Sequence, residues 1–247
     1  MNEVLQTLLS HRSIRAYQNK PVEADRLEQI VKAVQAAPNW VNLQHTSIIV
    51  VRNQERREKF AELCGGQRHI AQAPVFLVFC ADFYRTWLAC KGRDQEFDSV
   101  VSQIDNLIVG ANEVGIALGT AVAAAESFGL GTVPIGDIRF HALAVIRELE
   151  LPRYVVPMLG LCVGYPAEEP GQKPRLPKEA VCFEEKYHPD LSGLLKQYDG
   201  SMPHICGNVP VTAGSGTGQK WPPTFTGLPT ATTRRYRKCW HSRDFCP

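Results

Sequence analysis

The feature that most constrains this chain is the stretch from about Ser99 to Phe128. It carries a helical period on an interior of small residues: Gly110, Ala111, Gly115, Ala117, Gly119, Ala121, Ala123, Ala124 and Ala125. Small side chains let neighbouring elements approach closely, so the stretch predicts a central buried helix. Asp105, Asn106, Asn112 and Glu113 interrupt it, which argues against a membrane span. No uninterrupted apolar run approaches the roughly 20 residues such a span needs.

Around this segment the hydrophobic pattern alternates between types. SIIVV (47–51), PVFLVFCAD (74–82) and VVPMLGLCVGYP (155–166) read as strands, the second apolar on both faces and therefore central in its sheet. Helical spacing marks 2–10, 21–37, 54–64 and 140–149, with 54–64 expected to be exposed and Pro38 ending the second helix. GLGTVPIGD (129–137) is a glycine-rich turn running into a short apolar segment. At 247 residues and 44% hydrophobic, the chain suits one large mixed α/β domain.

The eight cysteines are scattered, with no CxxC pair and no Cys/His set at zinc spacing, so reduced structural thiols are expected. MNEVLQTLL lacks the cationic start and cleavage site of a signal peptide, which points to the cytoplasm. Lys220, Arg234, Arg235, Arg237, Lys238 and Arg243 face one acid, Asp244, in residues 200–247, whereas 1–199 carries 21 basic and 24 acidic residues. The body is mildly acidic and has no nucleic-acid footprint. Residues 200–247 show neither a 3.6 nor a 2.0 period, yet contain Trp and Cys. They read as an atypical tail, either an out-of-frame stretch or disordered chain.

Two basic clusters stand out. HRSIR (11–15) gathers His11, Arg12 and Arg15 around Ser13 at the end of the first helix. Guanidinium groups there suit an anion, and equally suit the last carbonyls of the helix. KPRLP (173–177) puts Lys173 and Arg175 on one side of an extended segment stiffened by Pro174 and Pro177, either a phosphate clamp or a solvated loop. Gln67 is presented by the Gly65-Gly66 turn. Gly129, Gly131 and Gly136 do not make GxGxxG, and no P-loop, GxSxG or HExxH is present.

As a set these segments resemble a known family. HRSIR, LQ-x-x-SII (43–49), GGQ (65–67), FCADF-x-R (79–85), AAES-x-GLG (124–131), PIGDIR (134–139), GLC-x-G (160–164) and KPRLP occur in this order. The chain is similar over roughly residues 3–199 to the oxygen-insensitive nitroreductases of the NADPH-preferring branch, which includes FRP-type flavin reductases. The resemblance implies an α+β, nitroreductase-like fold with a central mixed sheet flanked by helices, in an intertwined homodimer. It implies FMN as cofactor and NADPH as co-substrate, with ping-pong hydride transfer to nitroaromatics, quinones or free flavin. It divides the chain into an FMN-binding domain, 1–199, and the tail, 200–247.

Carried over by position, His11, Lys173 and Arg175 would hold the FMN phosphate, with Arg12, Ser13, Ile14 and Pro174 nearby. Arg15 would face the pyrimidine edge, Gln67 the ribityl or pyrimidine side, and the backbone of Pro134, Ile135, Gly136 and Asp137 the ring. Asn39 stands where the family usually has a small hydroxyl residue. No metal and no catalytic side chain are expected, because the cofactor carries the reaction. Asp137 departs from the family's Tyr-Ile-Gly-Gly and puts a carboxylate near the ring. The tail lacks the family's recognisable NADPH-binding loop and partner-embracing helix. Those departures make an impaired flavin-binding or interaction protein the alternative reading.

Overall fold

The computed structural model describes residues 1–90, 97–98 and 103–201. The start of the long helix at Ser99 and nearly all of the expected tail lie outside them. By internal packing the chain divides between Pro170 and Gly171. Within residues 1–170 lie helices α1 (Glu3–Leu9), α2 (Ala24–Gln35), α3 (Gln54–Leu63), α4 (Arg68–Gln72), α5 (Tyr84–Cys90), α6 (Ile104–Ser127) and α7 (Ala142–Leu149). They flank strands β1 (Thr46–Val51), β2 (Val75–Asp82), β3 (Gly131–Ile135) and β4 (Val155–Gly164). Past Gly171 the described elements are a 3-10 turn, Lys178–Ala180, and α8 (Ser192–Ser201).

The sheet order is β1-β2-β4-β3, with the neighbouring strands antiparallel. Its parallel component is a single bridge, Ser13 to Thr132, made by the segment that follows α1. Strand β2 is buried along its whole length, as an apolar run on both faces requires. Its alternate residues serve two cores. Val75, Leu77, Phe79 and Ala81 pack with α2 and α6, while Phe76, Val78 and Cys80 pack with α3, α4 and α7. Helices therefore cover both faces of the sheet.

Helix α6 is buried along one stripe rather than all round. Gly110, Glu113, Val114, Ala117, Ala121 and Ala125 face the core, while Ile104, Ile108 and Ile116 are exposed. Gly110 is required by packing, since a Cβ there would lie 2.8 Å from that of Ala81. By length and composition α6 could cross a bilayer, yet its small-residue stripe packs against the sheet. Helix α3 also departs from expectation: Phe60 is fully buried, and so is most of Arg57, which donates to the carbonyls of Ala71 and Ala73. Helix α2 begins at Ala24, not Pro21, because the backbone is still extended at Glu23, with ψ of 142°.

Candidate functional site

The segment carrying HRSIR is stitched into the sheet. Ile14 N donates to Thr132 O at 2.9 Å, and Gln18 N to Tyr165 O at 2.9 Å. The Tyr17 hydroxyl donates back to Ile14 O at 2.7 Å. Close approach to β3 depends on Gly131, where a Cβ would lie 2.6 Å from the Ile14 side chain. Ile14 is consequently a core residue, its N–H committed to Thr132 and its carbonyl already accepting from Tyr17.

The polar groups of this segment differ in what they meet. His11 Nδ1 lies 2.7 Å from Glu126 Oε1, and the Thr132 hydroxyl donates to the same oxygen at 2.8 Å. Arg12 pairs with Glu169 at 3.0 Å on the surface. The backbone N–H groups of Arg15 and Ala16 both donate to Glu168 Oε1, at 2.5 and 3.0 Å. The Arg15 guanidinium is exposed and makes no hydrogen bond or ion pair among the described residues. Its charge is felt by His69, which burial first and Arg15 second push down to about 4. His69 Nε2 is buried without a partner among the described residues.

Gln67 sits after a turn in which Gly65 and Gly66 have φ of 80° and 79°, a conformation natural to glycine. Its amide nitrogen donates to Cys64 O at 3.0 Å and to Asp137 Oδ2 at 2.8 Å. Both amide protons are therefore engaged, and Oε1 is the atom left to face a ligand, as an acceptor. In this arrangement Oε1 can accept from an N–H or a hydroxyl, whereas the amide protons are already committed. Asp137 opens the 3-10 turn Asp137–Arg139, and burial raises its carboxyl against the opposing Gln67 hydrogen bond and Arg139 charge. Pro134 faces outward from β3, whereas Ile135 is buried in the core and offers only its backbone.

The structure thus brings the expected residues into two polar groups joined by β3. His11, Ser13 and Thr132 lie toward the start of the strand, and Gln67 with Asp137 lies just past its end. From Thr132 to Ile135 the strand advances about 10 Å. Asn39 stays apart from both in its hydrogen bonding: its Oδ1 accepts from Gln44 N at 3.2 Å, inside its own loop. Lys173, Pro174 and Arg175 fall in the second unit, where Arg175 Nη1 donates to Lys173 O at 3.0 Å.

Sequence reasoning missed Glu126 as a site residue, although the AAES motif contains it. A signal was present: an acid in the last turn of a helix opposes the helix dipole and needs partners. It also missed Glu113, which anchors the loop after α2. Its carboxylate accepts from Trp40 N at 3.0 Å and His45 N at 2.7 Å, with His45 Nδ1 at 3.3 Å.

Residues 8–165 match the model of the Nitroreductase family. The chain is 48% identical over 204 residues to an FMN reductase [NAD(P)H] of Bacillus subtilis, covering 82% of each chain. It is 39% identical over 202 residues to an oxygen-insensitive NADPH nitroreductase of Salmonella typhimurium, again covering 82% of each. Among solved structures, the NADPH:FMN oxidoreductase of Vibrio harveyi complexed with NAD+ superimposes with a TM-score of 0.78 at 33% identity, over 83% of this chain and 87% of that one. The hypothetical oxidoreductase YcnD of Bacillus subtilis gives a TM-score of 0.80 at 47% identity, over 84% of each.

Proposed function

This chain belongs to the Nitroreductase family, and from that premise we propose that it is an FMN-dependent NADPH oxidoreductase acting on nitroaromatics, quinones or free flavin. The alternative, a flavin-binding protein with impaired turnover, finds no support among its relatives. A cytoplasmic site of action goes with this reading.

One observation carries the site: two polar groups of different character stand at either end of β3. Around its start are the His11 ring, the Ser13 backbone and, on the same segment, the Arg12 and Arg15 side chains. Past its end are the acceptor oxygen of Gln67 and the turn from Pro134 to Asp137. That donor set fits FMN, an elongated molecule with an anionic end and a hydrogen-bonding heterocycle. FMN, when bound, supplies two-electron exchange between NADPH and the acceptor.

We assign His11, with Arg12 and Ser13 beside it, to the phosphate, and Arg15 to the electron-rich edge of the ring, where a cation favours added negative charge. Lys173 and Arg175 are proposed as phosphate ligands on their motif alone. Gln67 accepts from a hydroxyl or ring N–H, and the backbone from Pro134 to Asp137 flanks the ring. Asn39 is proposed beside the cofactor on the resemblance alone, its side-chain oxygen also accepting from Gln44 N. No side chain is assigned as nucleophile.

A homodimer is part of the proposal. Helix α1 buries none of its residues and exposes Val4, Leu5, Leu8 and Leu9. It packs on α6, whose Ile108 and Ile116 are also exposed. Gly115 and Gly119 on α6 have open space where a Cβ would go, so nothing among the described residues explains their smallness. A second copy of this chain would cover that surface.

The test is to reconstitute the chain with FMN and add NADPH without oxygen. The flavin absorbance should bleach and return on adding a nitrofuran or quinone. Protein that takes up FMN yet never bleaches would sink the enzyme reading, and light scattering showing a monomer would sink the dimer.

A further inference from the structure

We infer that Glu126 is a positioning residue that fixes the His11 ring for its contact with the phosphate of FMN, a step that rests on the assignment of His11 made above. Glu126 lies at the end of α6, 12% of its side chain exposed, with two protein partners on one oxygen. The Thr132 hydroxyl donates to Oε1 at 2.8 Å, so that oxygen is an acceptor, and His11 Nδ1, 2.7 Å away, is the ring nitrogen that carries a proton toward it. With Nδ1–H given to Glu126, Nε2 meets a phosphate oxygen as a donor in the imidazolium form, in which both ring nitrogens carry protons. Nε2 is thereby left as the ring's outward polar atom, and it makes no hydrogen bond among the described residues.

The arrangement also ties the ring to the backbone that surrounds it. Thr132 is fully buried; its carbonyl receives Ile14 N and its hydroxyl receives no share of the solvent. Helix α6, strand β3 and the HRSIR segment therefore meet at one carboxylate. Without an acceptor on Nδ1 the ring is free to rotate and exchange its two edges. A ligand would then have to order it, at a cost of about 0.5–1.5 kcal/mol per immobilised side chain.

The experiment measures dissociation constants of the full chain for FMN and for riboflavin, which lacks the phosphate. Glu126→Met removes the acceptor at similar size, and should weaken FMN about three- to tenfold while leaving riboflavin within about twofold. Glu126→Gln keeps a carbonyl oxygen for Nδ1 and Thr132, and should retain most of the FMN affinity. Combining Glu126→Met with His11→Ala should add little to His11→Ala alone. Should Glu126→Met fail to fold, Thr132→Val removes the other donor from the same oxygen and should give a smaller loss confined to FMN.

Equal weakening of FMN and riboflavin would overturn the inference, as would a Glu126→Gln variant as weak as Glu126→Met. If His11→Ala leaves the FMN-to-riboflavin ratio unchanged, the assignment of His11 itself falls. If His11→Ala collapses that ratio and Glu126→Met does not, only the role of Glu126 falls.

Discussion

Two carboxylates on one helix, Glu113 and Glu126, do different work. Glu113 is 5% exposed and holds backbone: it receives the N–H groups of Trp40 and His45 and faces the His45 ring, itself 2% exposed. The loop it holds includes Val41, Asn42 and Gln44 with φ of 43°, 60° and 56°, all in the left-handed region. Glu126 instead holds two side chains, and one of them keeps a polar atom in reserve. The difference teaches that a buried acid bonded to backbone secures a shape, whereas one bonded to a ring secures the direction of a second, unfilled bond.

Stability should separate the two most sharply. Glu113→Ala strands two backbone donors and a buried ring, and should cost on the order of 3 kcal/mol or more in denaturant unfolding. An effect as small as that of a surface substitution would break the contrast at once.

Acid unfolding comes next, and it reports on His69. A histidine whose proton affinity is depressed in the fold stabilises the protein above its unfolded value of 6.5, and that contribution is lost as pH falls toward about 4. Allowing for its partial exposure, this amounts to roughly 1–2 kcal/mol. His69→Gln should flatten the stability profile between those limits, and an unchanged profile would remove His69 as the source.

The strained loop gives a smaller effect of opposite sign. Val41→Gly places a glycine where a β-branched residue adopts φ of 43°, and should stabilise the fold by up to about 1 kcal/mol. A loss would mean that the Val41 side chain has packing that outweighs its backbone cost.

Smallest of all, Glu126→Gln should change unfolding stability by less than about 1 kcal/mol, because its carbonyl keeps both hydrogen bonds. A loss matching that of Glu113→Ala would erase the distinction between the two acids.

Much of the fold was legible because its signals are local. The unbroken, β-branched and aromatic apolar run of β2 reads as a strand covered on both faces, and it is one. The small residues of α6 announced close packing, but periodicity does not tell which face is covered by the chain itself, so Gly115 and Gly119 looked the same as Gly110. Within the site, HRSIR and GGQ were visible as clusters, and the resemblance gave them roles. Their partners were not visible. His11 meets Glu126 across 115 residues and Gln67 meets Asp137 across 70, and no spacing rule connects positions so distant. Asp137 was read as a charge beside the ring; its direct partner is the Gln67 amide, whose acceptor face it fixes.

Gly131 has one more consequence. Because a methyl group there would collide with Ile14, the segment proposed above to hold FMN packs directly against the central sheet. A ligand bound there only by the folded chain adds RT ln(1 + [L]/Kd) to its stability. At a hundredfold excess over Kd that is about 2.7 kcal/mol. The melting temperature of this protein should thus rise with FMN concentration, making heat resistance a direct gauge of how well the site is filled.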